Sequence, residues 1–104
     1  MLTIKSHPDR VTLLLEGEFD VAAMPAIKKA VSTALDIVDG RPVEFDLAGV
    51  TFIDSSGFGA LIAAREQCAN QGTTLLITGV SDRVRRTFEI SGLGSLLDPA
   101  GPAG

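Results

Sequence analysis

The stretch Asp46-Leu-Ala-Gly-Val-Thr-Phe-Ile-Asp-Ser-Ser-Gly-Phe-Gly-Ala-Leu61 constrains this chain more than any other. It reads as a strand end, a short connection, and a serine pair that opens a helix. Asp54, Ser55 and Ser56 are the residue types that cap helix N-termini, because a side-chain oxygen can accept an otherwise unpaired backbone N–H. Gly57 and Gly59 keep the first turn bare, so another surface can approach the backbone closely. An exposed hydroxyl at a helix start is a favourable place for a phosphate, since backbone donors and the helix dipole both stabilise the added charge. Taken alone, Asp-Ser-Ser-Gly is more often only a cap.

The rest of the chain supplies an alternating order of strands and helices. Leu2-Thr-Ile-Lys-Ser6 alternates apolar and polar, His7-Pro-Asp-Arg10 has turn chemistry, and Val11-Thr-Leu-Leu-Leu-Glu16 reads as the second arm of a hairpin. Asp20 is a natural cap for a helix over about residues 21–38, with Met24, Ile27, Val31, Leu35 and Val38 as its core stripe. Gly40 stops it. Val43, Phe45 and Leu47 alternate with Glu44 and Asp46, a pattern expected where helices cover one face of a sheet only. The serine helix spans about residues 55–71 and ends at Gly72, and Thr73-Thr-Leu-Leu-Ile-Thr78 is the next strand. Ser81 caps a third helix to about Ser91, and residues 92–97 form a short strand or a last helical turn.

This order predicts a single α/β domain with a mixed sheet of four to five strands. The central strands are parallel, joined by right-handed crossovers, and the helices lie mainly on one face. Function in such sheets gathers at the carboxyl ends of the parallel strands, which makes Asp20 and the Asp54–Ser55 pair expected neighbours. The domain is expected over residues 1–98, with 99–104 as a flexible tail. On the serine helix, Gly57, Ala60, Leu61, Ala64 and Cys68 form one uncharged stripe, and Phe58, Ile62 and Arg65 the adjacent one. Burying the second stripe would bury Arg65, so the first is expected to be core. Phe58 and Ile62 are then expected wholly or partly exposed beside Ser55, as a partner-binding patch; the alternative is that both flank the core, because amphipathic stripes are often broad.

Composition removes several function classes. A net charge of -4 argues against non-specific nucleic-acid binding and against an anionic membrane surface. No run reaches the roughly 18 apolar residues of a membrane span, no signal-peptide pattern is present, and the lone Cys68 fits a reducing cytoplasm. His7, the only histidine, sits in a turn away from the serines. It has no metal-binding companions, and Ser55 has no general base of its own. Neither a nucleophile-elbow pattern nor a phosphate-cradling loop occurs, so no enzyme activity, cofactor or metal is expected. A phospho-acceptor role for Asp54 itself is disfavoured, because Asp20 is a solitary acid and no lysine follows the later strand.

The Asp46–Leu61 stretch resembles the signature of anti-sigma factor antagonists of the STAS family. Gly17-Glu-Phe-Asp20 and Ser81-Asp-Arg-Val-Arg-Arg-Thr-Phe-Glu-Ile-Ser-Gly-Leu93 are similar to its flanking motifs, in the same order. The resemblance implies a phosphorylation-switched module that binds an anti-sigma factor, itself a serine kinase, and so frees a sigma factor. A serine phosphatase would reverse the switch. It implies Ser55 as the phosphorylated residue, Asp20 and Asp54 lining the same site, and Ser56 and Gly57 completing the motif. Phe58 stands where the family commonly has leucine. The alternative is a STAS subunit of a lipid-transport or stress-sensing scaffold complex.

Overall fold

The computed structural model describes residues 2–97, so the expected domain end at residue 98 and the tail over 99–104 lie outside the described residues. Strand β1 (Leu2–Ser6) turns back through His7–Arg10 into β2 (Val11–Phe19), and the two pair antiparallel from Leu2↔Leu15 to Ser6↔Val11. A 3-10 turn (Val21–Ala23) leads into helix α1 (Met24–Ile37), then β3 (Val43–Ile53), α2 (Ser55–Asn70), β4 (Leu75–Thr78) and α3 (Asp82–Ile90). A second 3-10 turn, Gly94–Leu97, packs beside β4. The sheet order is β1-β2-β3-β4, with β2–β3 and β3–β4 parallel.

Because both crossovers step in the same direction across the sheet, right-handed connections put α1 and α2 on one face. The burial pattern agrees. Val11, Leu13, Leu15, Val43, Phe45 and Leu47 are buried beneath Ile27, Val31, Leu35, Leu61 and Cys68, while Glu44 and Asp46 face away from the helices. Helix α1 starts at Met24 rather than residue 21, because Asp20 caps the 3-10 turn and Pro25 then occupies the first α-helical turn. Its far end is held by Arg41, which donates from Nε to the Val38 carbonyl at 2.8 Å and from Nη1 to Ser6 Oγ at 2.9 Å. That guanidinium joins the helix C-terminus to the hairpin turn, where a cation also suits the dipole.

Strand β3 continues well past Leu47, to Ile53. The alternation of its first half is lost in the sequence because the β2–β3 register shifts twice, between Leu14 and Glu16 and between Gly17 and Glu18. Gly17, at φ +92, makes the left-handed residue at this irregularity.

The uncovered face carries a three-strand polar tie. Glu44 Oε1 accepts from Thr12 Oγ1 at 2.7 Å and Arg10 Nε at 2.9 Å, and its Oε2 accepts from Thr78 Oγ1 at 2.8 Å. Partial burial pushes the Glu44 carboxyl up, but the hydrogen bonds from Thr12, Thr78 and Arg10 outweigh it and hold it below the usual carboxylate range. A carboxyl depressed in the folded state contributes stability above its unfolded pKa of about 4.3 and loses it as pH falls through the folded value. Glu44→Gln should therefore lower the denaturation midpoint at pH 7 and flatten its fall between about pH 5 and 3. Urea melts across that range test it, and an unchanged acid slope would remove Glu44 from the account.

Candidate functional site

Phe19 and Ile53 are register partners at the ends of β2 and β3, and each is followed by an aspartate. The Asp54 N–H donates to the Phe19 carbonyl at 3.4 Å, which fixes the start of α2 against the end of β2. Asp20 and Ser55 thus lie at the same end of the sheet, as the strand order predicts. Both aspartates act as caps. Asp54 Oδ1 accepts from the Ser56 and Gly57 amides at 2.9 and 3.1 Å, and Asp20 Oδ1 accepts from the Ala22 amide at 3.1 Å.

Ser55 is the first residue of α2 and is exposed, while Ser56 is half-buried. A depression of about 470 Å³ opens beside Ser55. Asp54, Ser55, Gly59 and Ile62 form its α2 side, Thr87, Ser91 and Leu93 its α3 side, and buried Phe58 its floor. The α3 contribution is one that sequence reasoning missed. Its signal was there: Val84 and Phe88 are the buried pair of α3, which leaves Thr87 and Ser91 next to them on the helix edge.

Two site residues differ from expectation. Phe58 is 6% exposed rather than open to a partner, and its ring meets Phe88 edge-on, with centroids 4.7 Å apart and an interplanar angle of 83°. Helical stripes mislead here because burial changes along α2. Phe88 covers Phe58, but Ile62, one turn on, is 38% exposed and Arg65 is half-buried. Asp20 is the other, since it lies outside the lining of the depression beside Ser55. Gly57, on the stripe expected to be core, is buried, and its missing side chain serves an internal contact. A Cβ there would lie 2.5 Å from the Phe19 carbonyl oxygen and 2.7 Å from Ile53 Cγ1. Gly59 is the bare outward residue, and a Cβ added to it would meet nothing within 4 Å.

Among the described residues that line the depression, Asp54 is the only titratable one. His7 lies in the β1–β2 turn, at the opposite end of the strands. Cys68 is fully buried in the core, and burial pushes its thiol up to about 11. No group of three or more histidine, cysteine or carboxylate side chains is placed to hold a metal among the described residues, and none of their helices is long and apolar enough to cross a membrane.

Known proteins resemble this chain in sequence and in fold. The chain is 30% identical over 90 residues to the anti-sigma-B factor antagonist of Listeria monocytogenes, covering 86% of this chain and 78% of the relative. It is 34% identical over 82 residues to that of Staphylococcus aureus, covering 78% and 74%. The fold matches the unphosphorylated anti-sigma factor antagonist SpoIIAA with a TM-score of 0.76 at 24% identity, over 97% of this chain and 89% of that one. Phosphorylated SpoIIAA, a Bacillus cell fate determinant, matches with a TM-score of 0.69 at 23% identity, over 97% and 92%. The family model of the STAS domain spans residues 1–101, and with that match over nearly the whole chain the protein belongs to the STAS domain family.

Proposed function

We propose that this protein is an anti-sigma factor antagonist, a binding module whose partner is switched by phosphorylation of Ser55. The observation that carries the reading is an exposed serine at the first position of α2, directly after its cap Asp54 and at the lip of the α2–α3 depression. The names of the curated relatives supply the partner class. Unphosphorylated, the protein binds an anti-sigma factor that is also a serine kinase, and so promotes transcription by the released sigma factor. A serine phosphatase reverses the modification, and the cycle runs in the cytoplasm.

The chemistry favours a charge switch. A phosphoserine adds about -1.5 to -2 charges at pH 7. At Ser55 it meets Asp54, whose carboxylate already takes the Ser56 and Gly57 amides that a phosphate would otherwise use. Within a protein interface the new charge is repelled and must be desolvated, a cost of about 2–5 kcal/mol.

Incubation with the cognate anti-sigma factor and ATP should place one phosphate on Ser55. Ser55→Ala should stay bound regardless of ATP, and Ser55→Asp should bind about tenfold or more weakly in a titration. A phosphate on Ser56, or an acyl phosphate on Asp54, would overturn the assignment. Co-purification with lipid-transport or scaffold subunits, and with no kinase, would replace the reading by the assembly-subunit alternative.

A further inference from the structure

The groove between α2 and α3 has an apolar floor, and exposed arginines stand on α3 outside its lining. Three of the nine Lys and Arg residues of this net-acidic chain fall within α3: Arg83, Arg85 and Arg86. All three are exposed, and the two ion pairs found among the described residues, Arg10 with Asp9 and with Glu44, involve none of them. At about 100° per residue, Arg83 lies about 40° and Arg86 about 100° from the groove-lining Thr87. Ile90, 79% exposed, lies about 60° from it on that same side. Arg85 points about 160° away, to the back of the helix with Asp82 and Glu89. The groove therefore has Ser55 and Asp54 at one end and unpaired guanidiniums along its α3 rim.

We propose that this groove receives an amphipathic helix of the partner whose apolar ridge seats on Ile62 and the Phe58 floor and whose flanking carboxylates pair with Arg83 and Arg86. This rests on the reading of the Ser55 end as the partner-binding region, and it names the chemistry of what binds there. Charge complementarity selects the occupant: a basic or neutral helix would leave the guanidiniums unpaired, and an acidic one is drawn to them at low salt. Continuity with Ser55 supplies the coupling, because carboxylates in the groove lie on the same surface as the phosphate and are repelled by it. Gly59 lets the incoming helix approach α2 closely, since open space lies where its side chain would be.

The test uses the whole protein and two synthetic helical peptides with the same leucine ridge, one flanked by glutamates and one by lysines. In amide NMR titrations the glutamate peptide should shift Gly59, Ile62, Thr87, Ser91 and Leu93, bind about tenfold or more tightly than the lysine peptide, and weaken as salt rises. Gly59→Leu should block it without loss of thermal stability. Arg83→Glu combined with Arg86→Glu should weaken it by about tenfold or more, and Arg85→Glu by about twofold at most. Equal binding of the lysine peptide, an Arg85→Glu effect as large as the Arg83→Glu effect, or shifts confined to other surfaces would overturn the proposal. None of these readouts depends on Ser55 phosphorylation. A cognate anti-sigma factor that binds and phosphorylates normally while ignoring Gly59→Leu would sink the groove and leave the switch intact.

Discussion

Phe58→Ala should lower the unfolding free energy by about 3–5 kcal/mol, the usual range for truncating a buried phenylalanine. Its ring is 6% exposed and packs edge-on against Phe88, which is fully buried, so the truncation removes both the transfer of the ring from water and the aromatic pair. Domains of this size are stable by about 5–15 kcal/mol, so a large fraction of the molecules could unfold under mild denaturant. Phe58→Leu should cost much less, because it keeps most of the apolar volume. Urea melts decide the matter. A loss below about 1 kcal/mol for the alanine variant would mean that the ring does not hold α2 against α3.

The second large effect separates two glycines that look alike in sequence. Gly57→Ala gains about 1 kcal/mol of helix propensity but places a methyl 2.5 Å from the Phe19 carbonyl oxygen and 2.7 Å from Ile53 Cγ1. Neither neighbour can yield cheaply, because the oxygen belongs to strand β2 and accepts from the Asp54 amide. Overpacking at such a place costs up to about 3 kcal/mol, so the net result should be a loss of about 2 kcal/mol. The strain would fall on the start of α2 and displace Ser55. Gly59→Ala meets open space and should stabilise by about 0.5–1 kcal/mol. Opposite signs two residues apart are the expected outcome of thermal melts on the pair. A stabilised Gly57→Ala would show that α2 is not in contact with β2 there.

Local chemistry explains which features were legible in the sequence. Asp20, Asp54 and Ser81 were readable as caps because capping needs only a side-chain oxygen and the next few amides, and each makes those bonds. The hairpin and the one-sided sheet followed from period-two alternation in residues 2–6 and 43–47. Contacts between distant segments were not legible. The burial of Phe58 depends on Phe88, thirty residues later, and the internal use of Gly57 depends on a carbonyl of β2. The length of β3 was hidden by two register shifts that no single strand records. The polar tie at Glu44 was hidden as well, since its partners Thr12 and Thr78 come from different strands.

The double cap at Asp54 bears on how long a signal held at Ser55 would last. With the Ser56 and Gly57 amides committed to that carboxylate, the phosphate proposed for Ser55 would find no reason to rewind the helix, and the domain would carry the mark on its surface without refolding around it. No conformational relaxation then sets the tempo. On the switch proposed for Ser55, the memory of the modification would be the lifetime of one phosphate ester, erased at the rate at which a phosphatase finds it.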